Sequence, residues 1–238
     1  MAEWWLPDGY FIQSAAQLPW FTKVTTRPKP WLTNMNTLQA IETRRSIKHF
    51  DSAHLMSEAE VETLLHLARL TPSSFNMQNY RFVLVRDSAL RRSIREVAWD
   101  QSQVTDASLL VVLCADLSAH LKEPERYWSH APQAVQDFLV PALKSFYAGK
   151  DQLIRDEAMR STGLAGMTLM LAARGLGYDS CPMVGFDAEA VAKLIHLPQD
   201  HVISFMVAIG KGLNEPWPRG DRLSADETVI VNHFPKAA

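Results

Sequence analysis

The run Thr43-Arg44-Arg45-Ser46-Ile47-Lys48-His49-Phe50-Asp51 packs three cations and a hydroxyl into five positions. An arginine presents a planar fork of donors and a lysine a mobile point charge, so such a cluster can grip a phosphate or a polarised ring carbonyl. Taken as the last turn of a short helix, the spacing predicts Arg44 and Lys48 on one face. Cations in a last turn also complement the helix dipole and often do nothing more. A second polar concentration, Pro72-Ser73-Ser74-Phe75-Asn76-Met77-Gln78-Asn79-Tyr80, leads straight into an apolar run at Arg81–Val85. Its hydroxyls and amides suit turn chemistry or ligand contacts from a loop set on a rigid scaffold. A third, Asp100-Gln101-Ser102-Gln103, lies shortly before the apolar run Leu109–Ala115.

The surrounding pattern predicts the elements that carry these residues. Asn36 with Gln39 resembles a capping box opening a helix of about three turns that the cationic motif closes. Ser57 with Glu60 is a clearer box, followed by Val61, Leu64, Leu65 and Ala68 at helical spacing. That helix should stop at Thr71-Pro72, since the residue before proline avoids the α region. Helices are also expected over Ser88–Ala98 and over Ala131–Tyr147, the latter with Val135, Phe138, Leu139, Ala142 and Phe146 on one face. Another is expected over Arg155–Ala173, where residues 163–172 are apolar or small all round and predict burial on every side. Gly175 and Gly177 end it. Cys181–Asp187 reads as a tight turn with Asp187 capping a helix to Ile195. Val202–Gly210 reads as a buried strand, and the tail from Lys211 as extended, with a last apolar piece at Val229–Val231.

Composition narrows the class. At 238 residues with formal net charge −2, the chain can bury a large core and has no global basic field, so nucleic acid is not an expected partner. Two distant cysteines and eight histidines without ligand spacing give no metal motif. No apolar run approaches the roughly 20 residues that span a bilayer, and the start lacks a signal-peptide pattern, so a cytoplasmic protein without membrane contact is expected. Residues 1–33, rich in tryptophan and proline, read as an N-terminal arm or a lid, with one domain over 34–238. Neither G-x-x-x-x-G-K-[ST] nor G-x-G-x-x-G nor H-E-x-x-H occurs.

Four motifs in register, Arg44-Arg45-Ser46-x-Lys48, Pro72-Ser73-Ser74-x-Asn76-x-Gln78, Gly185-Phe186-Asp187 and the late Arg222-Leu223, resemble the nitroreductase family of FMN flavoproteins, from about Asn36 to Phe234. The resemblance implies an α+β fold with a mainly antiparallel central sheet flanked by helices, and an intertwined homodimer with FMN, non-covalently held, at the interface. It implies that Arg44, Ser46 and Arg222 serve the phosphate and ribityl region and Lys48 the ring, with Arg45 and Arg219 also among the cofactor-binding residues. Ser73, Ser74, Asn76 and Gln78 would come from the other subunit. Met183, Val184 and Gly185 would offer backbone groups to the flavin edge, with Asp100 and Gln103 nearby. The implied activity is hydride transfer from NADH or NADPH through the flavin to a small nitroaromatic or quinone acceptor, by a ping-pong mechanism that needs no catalytic side chain. The same fold would also serve an ene-reductase, a dehalogenase, a flavin-cleaving enzyme or a non-catalytic flavin-binding protein. The chain departs from the family at Asn79-Tyr80 (usually Pro-Trp), Val184 (often Glu), Asp100 (often Asn) and Gln103 (often Lys).

Overall fold

Every residue of Leu109–Asp116 (β2) is buried, and this strand is the centre of the structure, a computed structural model that describes residues 35–235. A strand covered on both faces needs a continuous apolar run rather than alternation, which LLVVLCA supplies. On one side β2 pairs antiparallel with Tyr80–Val85 (β1), and on the other with His201–Gly210 (β4). Asp179–Met183 (β3) pairs antiparallel with β4, so the sheet runs β1-β2-β4-β3. The anticipated turn at Cys181–Asp187 is therefore strand as far as Met183. Its proline is tolerated because β3 is an edge of the four-stranded sheet.

Helices pack on both faces. Glu58–Ala68 (α2) is opened by the Ser57–Glu60 capping box and seats Val61, Leu64 and Ala68 with Leu169 and Ala173 of the 25-residue helix Asp151–Gly175 (α6). It ends at Ala68, before the anticipated Thr71. The opposite face gathers Ile94 of Ser88–Glu96 (α3), Val104 of the short Gln103–Asp106 (α4) and Val191 of Ala188–Leu194 (α7) over Leu110, Val112 and Met206. Asp187 caps α7 as expected, accepting from the amides of Glu189 and Ala190.

Several sequence expectations are corrected. The first helix, Thr37–Thr43 (α1), has its capping box but spans only seven residues. Gln133–Tyr147 (α5) buries Val140, Leu143 and Tyr147, whereas Val135, Phe138 and Phe146 of the anticipated apolar face are exposed. The middle of α6 is not enclosed on every side in the single chain, since Leu164 and Met167 are open. The tail forms only Ala225–Thr228 (α8), and Val229–Val231 makes no strand within the chain. Residues 1–33, and with them the arm or lid, lie outside the described residues.

Candidate functional site

Arg44 ends α1, and from there the chain runs extended: ψ of Arg44 is 129°, Ser46 bridges Ser180 of β3, and Ile47 N–H donates to the Ser180 carbonyl at 3.1 Å. Phe50 bridges Gly212, Leu213 N–H donates to the His49 carbonyl at 3.0 Å, and the burial of Ile47 and Phe50 anchors the segment. The shared helical face expected for Arg44 and Lys48 does not exist. A strand edge outcompetes one more turn of helix by satisfying the backbone while burying two large side chains.

This segment and the tail from Asn214 to Arg222 enclose a cavity of about 540 Å³ lined by Arg44, Arg45, Ser46, Lys48, Arg219 and Arg222, with Glu215 its one carboxylate among the described residues. The arginines are not equivalent. One amino group of Arg219 donates to the carbonyls of Glu42 and Arg44, both at 2.9 Å, and Arg45 donates to the Trp217 carbonyl, so these two knit the walls together. Arg44 is different. Its Nε and Nη1 are buried without any hydrogen-bond partner, half of the four such side-chain atoms among the described residues. Burial, then the charges of Arg219, Arg222 and Arg45, push its guanidinium below the ordinary arginine value. A buried cation with idle donors beside three like charges is costly unless an anion completes it. A phosphate is such an anion, offering several acceptor oxygens to an arginine fork.

A second group forms around the turn after β3. Val184 is 79% exposed, and Gln101 Nε2 donates to the Gly185 carbonyl at 2.8 Å while Gln103 Nε2 donates to Gln101 Oε1 at 3.0 Å. Gly185 is close-packed: a Cβ there would lie 2.5 Å from the ring of Trp99. Trp99 and Asp100 both have left-handed backbone, with φ of 53° and 51°, a conformation that costs non-glycine residues energy and clusters at functional sites. Asp100 itself is held by Arg95 at 2.6 Å. Met183 is buried in the core cluster, leaving its backbone for any ligand. Trp99 and Gln101 were missed as site residues, because one looked like an ordinary helix end and the other like a loop amide.

The third group stands apart. Ser73 to Gln78 form a loop with a 3₁₀ turn at Ser74–Asn76, in which Phe75, Asn76 and Gln78 have positive φ. Its side chains are engaged within the chain: Ser73 Oγ accepts from Gln78 N–H at 2.8 Å, Tyr147 Oη–H on α5 donates to Ser74 Oγ at 2.8 Å, and Gln78 Nε2 reaches the Asn76 carbonyl at 3.1 Å. None of these residues lines the cationic cavity. The sheet register explains why. The loop enters β1 at Tyr80, which lines up through Ala115 with Val202 of β4, whereas Ser46 joins β3 at Ser180, opposite Ile209. At roughly 4.8 Å per strand and 3.4 Å per residue, three strands across and seven positions along place the two groups more than about 25 Å apart. They occupy diagonal corners of one sheet.

Among the described residues, Asp116, Asp200 and His201 are spaced as a metal site could be. The cluster carries its own cation, since Lys122 Nζ lies 2.9 Å from Asp116 and 2.6 Å from Asp200. No helix of the described residues is long and apolar enough to cross a membrane.

The fold is therefore α+β, and its edge carries a preformed cavity lined mainly by cations. The family is shown directly: residues 41–211 match the model described as "Nitroreductase family", and the chain belongs to that family. It is 54% identical over 178 residues to protein DrgA of Synechocystis sp., covering 74% of this chain and 84% of that one. It is 32% identical to MhqN of Bacillus subtilis, provisionally named an NAD(P)H nitroreductase, over 79% of this chain and 95% of the other. In structure it is similar to a nitroreductase-type protein of Exiguobacterium sibiricum solved in complex with FMN, with a TM-score of 0.79 and 28% identity over 84% of this chain and 99% of that one.

Proposed function

We propose that this protein is a cytoplasmic FMN-dependent oxidoreductase that uses NADH or NADPH to reduce small nitroaromatic or quinone acceptors. The observation that carries this reading is the buried, unpartnered Nε and Nη1 of Arg44, in a cavity whose described cations outnumber its described carboxylate. Two buried, unpaired cysteines agree with a reducing compartment. Bound FMN would supply the redox chemistry, accepting a hydride from the nicotinamide and passing it to the acceptor. The protein's part is binding and electrostatics. Arg44, with Ser46 and Arg222, would hold the phosphate, and Arg45 and Arg219 keep the walls in place. Lys48, with no hydrogen bond or ion pair of its own, is the cation available to favour negative charge on the ring. The Val184–Gly185 turn, fixed by Gln101, offers backbone groups in an open position.

We further propose that the working site belongs to a homodimer. The Ser73–Gln78 loop lies too far from Arg44 to share a ligand with it inside one chain, so a second copy must bring it. The open apolar residues Val135, Phe138, Phe146, Leu164 and Met167 are a fitting contact surface. Two measurements test this. The purified protein should be yellow, release FMN on denaturation and oxidise NAD(P)H with a nitroaromatic acceptor in double-reciprocal plots of parallel lines; a colourless protein that takes up no FMN overturns the reading. A mixed dimer of an Arg44→Ala chain and an Asn76→Ala chain should hold about half its flavin at normal affinity. Equal weakening of both sites would place each site within one chain.

A further inference from the structure

Arg174, at the end of α6, and Asp179, the first residue of β3, do not line the cationic cavity, yet together they are bonded to both segments that do. Arg174 Nε donates to Thr43 Oγ1 at 3.1 Å, one residue before Arg44. Its Nη1 pairs with Asp179 Oδ1 at 2.9 Å, and Asp179 Oδ2 accepts from Gly212 N–H at 3.2 Å, two residues before the tail begins to line the cavity at Asn214. A Cβ on Gly212 would lie 2.8 Å from that oxygen and 3.1 Å from Ile47 Cγ2, so the carboxylate reaches the amide because the position has no side chain. Ser180, next in sequence, takes the Ile47 amide.

The two walls of the cavity are like-charged, with Arg44, Arg45 and Lys48 on one and Arg219 and Arg222 on the other, against one carboxylate. Such walls repel until an anion lies between them. We propose that Arg174 and Asp179 are positioning residues, a clasp that holds the two walls at phosphate-binding distance before the ligand arrives. This deepens the FMN reading above and rests on it. Preorganisation of this kind should favour a flavin that carries phosphate over one that does not, because the ring makes no demand on the spacing of the cationic walls.

The test compares FMN with riboflavin by equilibrium dialysis against the full-length protein and its Arg44→Ala, Asp179→Ala and Thr43→Val variants. Asp179→Ala should weaken FMN binding roughly tenfold and leave riboflavin within about twofold, and Thr43→Val, which deletes the exposed Arg174 contact together with the hydroxyl's own bond to the Gln39 carbonyl, should lower the FMN-to-riboflavin preference about threefold. A parallel loss of both flavins in Asp179→Ala would mark an ordinary structural role and overturn the clasp. Should Asp179→Ala not fold, Thr43→Val decides alone, and an unchanged preference overturns the proposal. If Arg44→Ala loses FMN while Asp179→Ala and Thr43→Val keep it, the clasp fails and the FMN reading stands. An unaltered protein with no preference for FMN over riboflavin overturns both.

Discussion

Two charge clusters in this molecule look alike as collections of residues and differ in how their donors are used. Around Asp116, Arg81 donates at 2.7 Å, Lys122 at 2.9 Å and the Ser118 amide at 3.0 Å, while Lys122, Ser118 and His201 all engage Asp200. Positive and negative groups alternate, and every oxygen is occupied. In the Arg44 cavity cations crowd together, and Arg44 has two buried donor nitrogens, Nε and Nη1, that are idle. The first arrangement is complete and holds β1, β2 and β4 in place. The second is complete only with an outside anion. The presence of charge identifies neither; the unspent hydrogen-bonding capacity does.

The contrast can be broken most forcefully at Asp116. Its side chain is about 1% exposed, and Asp116→Ala removes the carboxylate shared by Arg81 and Lys122, leaving Arg81 its bonds to the Gln78 and Tyr80 carbonyls and Lys122 its pair with Asp200. Both cations are over a third exposed and can rehydrate, so a loss of about 2–3 kcal/mol in a urea melt is expected, at the low end for a broken buried pair, with FMN affinity unchanged. Arg44→Ala should do the reverse. It should weaken FMN by ten- to a hundredfold, the equivalent of about 1.5–3 kcal/mol for a charge-assisted contact, while the melting temperature of the flavin-free protein holds or rises. If Arg44→Ala instead unfolds the flavin-free protein, the cavity is scaffold and the comparison collapses.

Acid sharpens the distinction further. Burial alone would raise the Asp116 carboxyl, but donation from Lys122 and Ser118 with the nearby Arg81 and His201 brings it below its ordinary value; hydrogen bonds from Lys122, Ser118 and His201 lower Asp200 too. Carboxyls depressed in the folded state add stability that is complete above the unfolded value near 4 and is lost as pH falls through the folded values. Stability of the unaltered protein should therefore decline below about pH 4, and Asp116→Ala should flatten that decline. The smallest effect is expected at Arg86–Glu58, a bidentate pair at 2.7 and 2.8 Å with both partners well exposed. Arg86→Ala should leave the urea midpoint almost where it was and flavin binding untouched.

Much of the framework was legible locally. The Ser57–Glu60 box, the Leu109–Ala115 run and the Asp187 cap act within a few residues, and each element formed where its signal lay. The Arg44–Lys48 backbone was misread because its conformation is decided by partners far along the chain, Ser180 and Gly212. The same holds for β3, whose proline is acceptable only once strand order makes it an edge. The Asp116 cluster left no signal, since Arg81 and Asp200 come to Asp116 only through the pairing of β1 and β4 with β2. For the candidate site, the residue groups stood out in the sequence. Their wide separation within one chain was implied by the family resemblance alone, because from the residues it depends on register as well as strand order.

The enclosed strand β2 has a consequence for how the protein opens. Its amides are paired on both sides and covered on both faces, so their hydrogens should exchange with solvent only when the whole domain unfolds. The Arg44–Lys48 segment is held to the far side of β3 by the isolated bridge at Ser46, and just beyond it Phe50 bridges Gly212. Its amides should exchange through local fraying at a much smaller free energy. A ligand held there can come and go with the rim of the sheet while the centre stays shut, and its binding should slow exchange at the rim and leave β2 as it was.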